Sequence, residues 1–225
     1  MYLQKELDLQ CLINVDAACK NYSNEVIVNW LCNQLILTDL SSLFEMVKQN
    51  SVERILPNTI PQFSSFDDAY SDVVKILAKS GSSMSYDELG TYLANGKGKN
   101  VVAQRKYGEN HSKLAALLDL TVINLRDYPH QVSLSVLGYV FYKKSKDDQK
   151  TLIARLLFRI PIIQQLLKDA SNGKVILSDQ LYMLAEQTKI RRQPNIAAIL
   201  QFIYASTSEH DTSLRSALKN IEGWC

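Results

Sequence analysis

TVINLRD (121–127) and QVSLSV (131–136) alternate apolar and polar residues on either side of Tyr128-Pro129-His130, and no other feature constrains the fold as much. Period two interrupted by a proline turn predicts a β-hairpin. Two strands alone are marginal in water, so the hairpin must lay its apolar side on something else. The preceding sequence supplies helices. FDDAYSDVVKILAKSG (66–81) has acids in its first turn, Tyr70, Val73, Val74 and Leu77 at helical spacing, and Gly81 where a helix would stop. MSYDELGTYL follows, with Ser85 and Glu88 spaced as a reciprocal capping pair. HSKLAALLDL (111–120) predicts a third, short helix with Leu114, Leu117 and Leu118 inward.

Between the second and third helices, ANGKGKNVVAQRKYGEN (94–110) is too polar and glycine-rich to predict an uninterrupted helix. Helix, helix, loop, helix, hairpin is the winged-helix order, in which a short third helix lies in a DNA major groove about 12 Å wide. Asn110, His111 and Lys113 would then form its outer face, with Arg105 and Lys106 just ahead and Lys97 and Lys99 in the loop. Tyr107 would lie against sugar or base. The five cations are offset locally only by Glu109, so double-stranded DNA is the expected partner. The plainer alternative is a solvated helical face beside a flexible loop.

The second half is helical. SKDDQKTLIARLLFRI (145–160) aligns Leu152, Leu156 and Leu157 behind a Ser145 cap, Pro161 opens PIIQQLLKDAS, and Asn172-Gly173 closes it. LSDQLYMLAEQ, the basic turn TKIRRQ and PNIAAILQFIYAS outline a helix-turn-helix, although the turn is long and lacks the usual glycine. Lys189, Arg191 and Arg192 stand just before a helix N-terminus at Pro194 and Asn195, a place that favours phosphate. TSLRSALKNIEGW ends the chain as an amphipathic helix.

The front differs. ELDLQCLINV (6–15) alternates like a strand. SNEVIVNWLCNQLIL predicts a helix capped by Ser23, with Val26, Trp30, Leu31 and Leu35 on one face. DLSSLFEMVKQN restarts after Asp39 with Leu40, Leu43, Phe44 and Val47 aligned, and LPNTIPQFSSF (56–66) reads as a linker. Residues 1–72 carry four cations against ten acids, a net of −6, which leaves +8 on the rest of a chain whose total is +2. Unequal but functionless surface charge is one reading. The other is a basic body that meets a polyanion and an acidic front that meets something else. Trp30, Leu31, Leu35, Leu43 and Phe44 offer more apolar surface than a 65-residue segment hides alone, so a homodimer through residues 1–65 is expected.

With 46% apolar and 21% charged residues, a packed core is affordable and wholesale disorder is excluded. No apolar run reaches the roughly 20 residues of a membrane span, and MYLQKELDLQ has no apolar signal core, so the expected compartment is the cytoplasm. Cys11, Cys19, Cys32 and Cys225 form no close pair of the kind zinc sites use and read as buried thiols.

From about residue 66 onward the chain resembles tandem winged-helix proteins found among bacterial transcription regulators and in restriction–modification and phage-defence systems. QRKY (104–107), LAALLDL (114–120) and VSLSVLGYVFYKKSKDDQKTLIARLLFRIPIIQQLLKD (132–169) carry that resemblance. Leu114 and Asp119 depart from it, standing where related modules often have Ala and Gly, and residues 1–65 lie outside it. The resemblance implies a DNA-binding scaffold, either a regulator or the DNA-reading subunit of a larger complex, and no chemistry. A scaffold whose winged helices bind a partner protein has the same fold.

The expected architecture is thus mainly α with small β-hairpins: an acidic α/β region over 1–65, a winged-helix domain over 66–144, and a second, helix-turn-helix-like domain over 145–225. No enzyme is expected, and no cofactor or metal. GTYLANGKG misses the P-loop pattern, because five residues rather than four separate Gly90 from Gly96 and Gly98 replaces the Ser or Thr. Asp127 and Asp148-Gln149-Lys150 follow the acid, acid-x-lysine order of metal-dependent nucleases, but the second acid opens a helix, where the dipole already explains it. His111, His130 and His210 are each alone, and His130 reads as a solvated turn residue or a wing-to-phosphate contact.

Overall fold

The computed structural model describes residues 25–93, 96–126, 128–185 and 192–224. The expected strand at 6–15, the Ser23 cap, Cys11, Cys19, Cys225, Asp127, Lys189 and Arg191 lie outside the described residues. Helices dominate and the sheets are small, so the fold is the expected mainly helical α+β class. Two helices come first, α1 (Glu25–Leu37) and α2 (Leu40–Gln49), with the Asp39 carboxylate accepting the Ser42 backbone N–H to cap α2. On α1 the inward face is Val28, Leu31, Cys32 and Leu35, whereas Val26 and Trp30 are exposed. The expected face mixed two sides of the helix. No single helix among the described residues is long and apolar enough to cross a membrane; α1 and α2 pass that test only as a pair bent by 99°.

The chain divides into two compact units. One combines residues 25–29 with Pro61–Ser145 and contains the hairpin. A π-turn (Asp68–Asp72) leads into α3 (Val73–Ser80), which Gly81 ends in the left-handed conformation at φ 65°. Then come β1 (Met84–Ser85), α4 (Tyr86–Tyr92), α5 (Val101–Leu117), β2 (Thr121–Asn124), β3 (Gln131–Leu134) and α6 (Val136–Lys143). The Ser85–Glu88 capping box is formed at the start of α4. The sheet order is β1-β3-β2, all antiparallel, with Val132 opposite both Met84 and Ile123. Val73, Leu77, Leu89, Leu114, Leu118, Leu120, Val132 and Phe141 fill the core between helices and sheet.

The third helix is the main departure. It is not short: α5 runs seventeen residues and takes in residues 101–110, the second part of the stretch expected to be too polar for a continuous helix. Its start is set by Asn100, whose side-chain oxygen accepts the Ala103 N–H at 2.9 Å. Gly108, which looked like a break, is a packing residue. A β-carbon there would stand 2.1 Å from the Tyr86 carbonyl oxygen, and one on Gly90 would stand 1.9 Å from that of Gln104. Helices α4 and α5 therefore cross nearly backbone to backbone, glycine by glycine.

The other unit combines Trp30–Ile60 with the chain from Lys146 on. It holds α2, α7 (Lys146–Leu156), a 3-10 turn (Leu157–Arg159), α8 (Pro161–Asn172), β4 (Val175–Ile176), α9 (Leu177–Ala185), α10 (Gln193–Ala205), α11 (Thr212–Asn220) and β5 (Ile221–Glu222). Pro161 opens α8 as expected. Its only strands among the described residues are the two-residue parallel pair β4–β5, so no hairpin accompanies α9 and α10 there. Leu40, Leu43, Phe44 and Val47 of α2 are buried and pack against α8 and α11. Residues 30–60 are thus one side of a helical core completed far along the chain, not a separate front. Leu31, Leu35, Leu43 and Phe44, on which expected self-association rested, are already buried; of that set Trp30 alone is exposed. Nor is 56–66 a free linker, since Ile60 and Phe63 are buried.

Candidate nucleic-acid interface

The turn before α5 and the outer face of α5 carry the first group of cations read from the sequence. Lys97, Lys99, Lys106 and Lys113 are exposed and Arg105 is partly so. They are not equivalent. Lys113 is paired with Glu109, one turn away on the same helix. Arg105 donates from Nη1 to the Tyr128 hydroxyl at 2.7 Å, and its guanidinium lies 5.2 Å from that ring's centre. This contact joins the middle of α5 to the hairpin turn. Arg126, also exposed, is a cation that the sequence reading left out. Both elements also expose apolar side chains: Val101 and Val102 are 68% and 66% exposed on α5, and Val122, Leu125 and Tyr128 are 55%, 66% and 73% exposed on the hairpin.

Two expected readers are not on this face. His111 and Tyr107 are buried, because the inward side of α5 runs through Tyr107, Gly108, His111, Leu114, Ala115 and Leu118. Beginning the helix at His111 hid that phase; the spacing Tyr107, His111, Leu114, Ala115 would have revealed it. The Tyr107 hydroxyl donates to Asp68 at 2.9 Å, a buried partner the sequence reading did not identify. The His111 ring lies against Tyr107, centres 3.9 Å apart. His111 Nδ1 is 2.7 Å from the Tyr107 carbonyl, and Nε2 is 3.4 Å from the backbone N–H groups of Ser64 and Ser65. Only a neutral imidazole serves both sides, donating from Nδ1 and accepting at Nε2. His111 is a clamp on the entry to the unit. Asn110 stays half-buried at the flank of α5.

Burial pushes the His111 pKa down, only partly offset by the Tyr107 carbonyl and the charge of Asp68. In acid the unfolded chain therefore binds a proton that the folded unit refuses. The His111 contribution is full above the unfolded value, about 6.5, and is lost as pH falls from there toward the folded value. His111→Gln is expected to lower stability at neutral pH by about 1–2 kcal/mol and to reduce the further loss on acidification. Urea midpoints of both proteins at neutral and mildly acidic pH check this; parallel acid losses would show that another group titrates.

The second basic region also changes character. Arg192, expected to face phosphate, donates from Nη1 to the carbonyls of Pro57 (2.8 Å) and Ile60 (2.6 Å). It is half-buried, and burial pushes its pKa down. Arg192 holds the 57–60 turn in place. His130 is partly buried, edge-on to Tyr86 and Tyr128. Asp148 lies in the first turn of α7. Among the described residues no group of three His, Cys, Asp or Glu side chains is placed to hold a metal ion.

A scan against family models, a search of curated proteins and a search of solved structures each found no match.

Proposed function

We propose that the Pro61–Ser145 unit is a winged-helix module that binds duplex DNA, with the outer face of α5 toward the groove and the β2–β3 hairpin as its wing. One observation carries the reading: Arg105 hydrogen-bonds the hairpin's Tyr128 from a helix face that also presents Lys106, so helix and hairpin offer one surface with cations at its centre. The element order and the β1-β3-β2 sheet support it. Contacts from Lys97, Lys99, Arg105 and Lys106 would be to phosphate, with Asn110 the remaining candidate for a base edge. The proposal assigns the chain to the cytoplasm, where a thiol such as that of buried Cys32 stays reduced. It acts as a regulator or as the DNA-reading part of a larger assembly, without catalysis or cofactor.

A second reading is favoured by the exposed Val101, Val102 and Leu125, which give the same surface an apolar component suited to a partner protein. Salt separates the two. If those four cations neutralise about four phosphates, log K for random duplex falls against log salt with a slope near −3.6. Replacing Lys99 and Lys106 by Ala is expected to make that slope shallower by about 1.8. Anisotropy titrations between about 50 and 200 mM salt measure both. Absent or salt-insensitive binding would favour the protein partner.

A further inference from the structure

The hairpin is unusual for a surface that only follows phosphates. Val122, Leu125 and Tyr128 each expose more than half of a large side chain. Phosphate contact uses none of that area. Tyr128 is the most exposed, at 73%, yet it is not loose: its hydroxyl accepts from Arg105, the Arg105 guanidinium lies near one part of the ring, and His130 meets it edge-on at 6.0 Å. An aromatic ring held by a cation, with much of its surface open, is a stacking platform, and a nucleotide base is the flat partner whose attached phosphate also brings the negative charge Arg105, Lys106 and Arg126 favour. In uninterrupted duplex every base face is already stacked. Such a ring gains a base only where the stack ends.

We propose that the hairpin recognises a duplex end or a single-strand/duplex junction, with Tyr128 stacking on the terminal or unpaired base and Leu125 covering its edge. This rests on the DNA reading of the same surface and names its substrate class.

The test uses the full chain and three DNA probes of one sequence: a duplex closed by loops at both ends, an open blunt duplex, and a fork with 2-aminopurine at the junction. The fork is expected to bind roughly five- to a hundredfold more tightly than the closed duplex, as stacking one base on an aromatic ring provides. The 2-aminopurine emission should change on binding. Tyr128→Ala should bring affinity for the fork down to that for the closed duplex and abolish the emission change, whereas Tyr128→Trp should keep the preference. Equal affinity for all three probes, or a preference that survives in Tyr128→Ala, would overturn the inference and leave the DNA reading standing. No salt-dependent binding to any probe would overturn both and favour a protein on the hairpin.

Discussion

Gly108→Ala unfolds, or comes close to unfolding, the hairpin unit. The added methyl would sit 2.1 Å from the Tyr86 carbonyl oxygen, 3.0 Å from its carbon and 2.9 Å from the Gly90 nitrogen. All three are backbone atoms of α4, so no side chain can swing aside. Overpacking a core typically costs about 1–3 kcal/mol, and a backbone obstacle puts Gly108→Ala at the upper end or beyond. The only relief is to part α4 from α5, which would expose Leu89, Leu93, Leu114 and Leu118, all now fully buried. Gly81→Ala is the control. Nothing lies within 4 Å of its missing β-carbon, and its cost comes only from φ at 65°, an expected 1 kcal/mol or so. Urea unfolding of the three proteins reads the difference. Equal losses would mean that the crossing relaxes more readily than its distances imply.

That pair of glycines also shows what could be read in advance. Features set by a few neighbouring residues were legible. The Ser85–Glu88 box, the Gly81 stop, Asp39 before α2, Pro161 at the start of α8 and the hairpin flanking Tyr128-Pro129 are all formed where the sequence put them. Each is a local match between side chain and backbone. Features that depend on what packs opposite were not. Glycine reads as a breaker unless a second helix needs its missing β-carbon, so Gly108 split α5 into loop and short helix. With the start of α5 misplaced, its phase was lost, and two buried residues were assigned to the surface. The cations survived that error because Lys97, Lys99, Lys106 and Lys113 are exposed on either reading. Arg192 is the counterexample: its charge invited a phosphate, while the carbonyls of Pro57 and Ile60, some 130 residues earlier, had already taken it.

Distance along the chain also hid a residue that ties the helical unit together, Asp211. It stands just before α11, yet its carboxylate does not cap that helix. Oδ1 accepts from the backbone N–H and hydroxyl of Ser41 at 3.0 and 2.7 Å, and Oδ2 from those of Ser208 at 2.7 and 2.9 Å. One buried carboxylate thus ties the first turn of α2 to the approach to α11, and its charge also acts on half-buried Arg155. Burial alone would push the Asp211 pKa up, but the donors from Ser41 and Ser208 outweigh it and hold the pKa below the ordinary aspartate range. Asp211→Ala removes the acceptor from half-buried Ser41 and from exposed Ser208 and is expected to cost about 2 kcal/mol, within the range for hydrogen bonds to a charged group. Asp211→Asn keeps one acceptor oxygen and should cost about half as much. The sign in acid follows from the depressed folded pKa. The contribution is complete above the unfolded value, about 3.9, and disappears as pH falls through the folded one. Between neutral pH and about pH 3 the wild-type chain should therefore lose stability more steeply than Asp211→Ala, and their urea midpoints should converge. Midpoints that stay equally far apart in acid would show that Asp211 holds the two segments by shape rather than by charge.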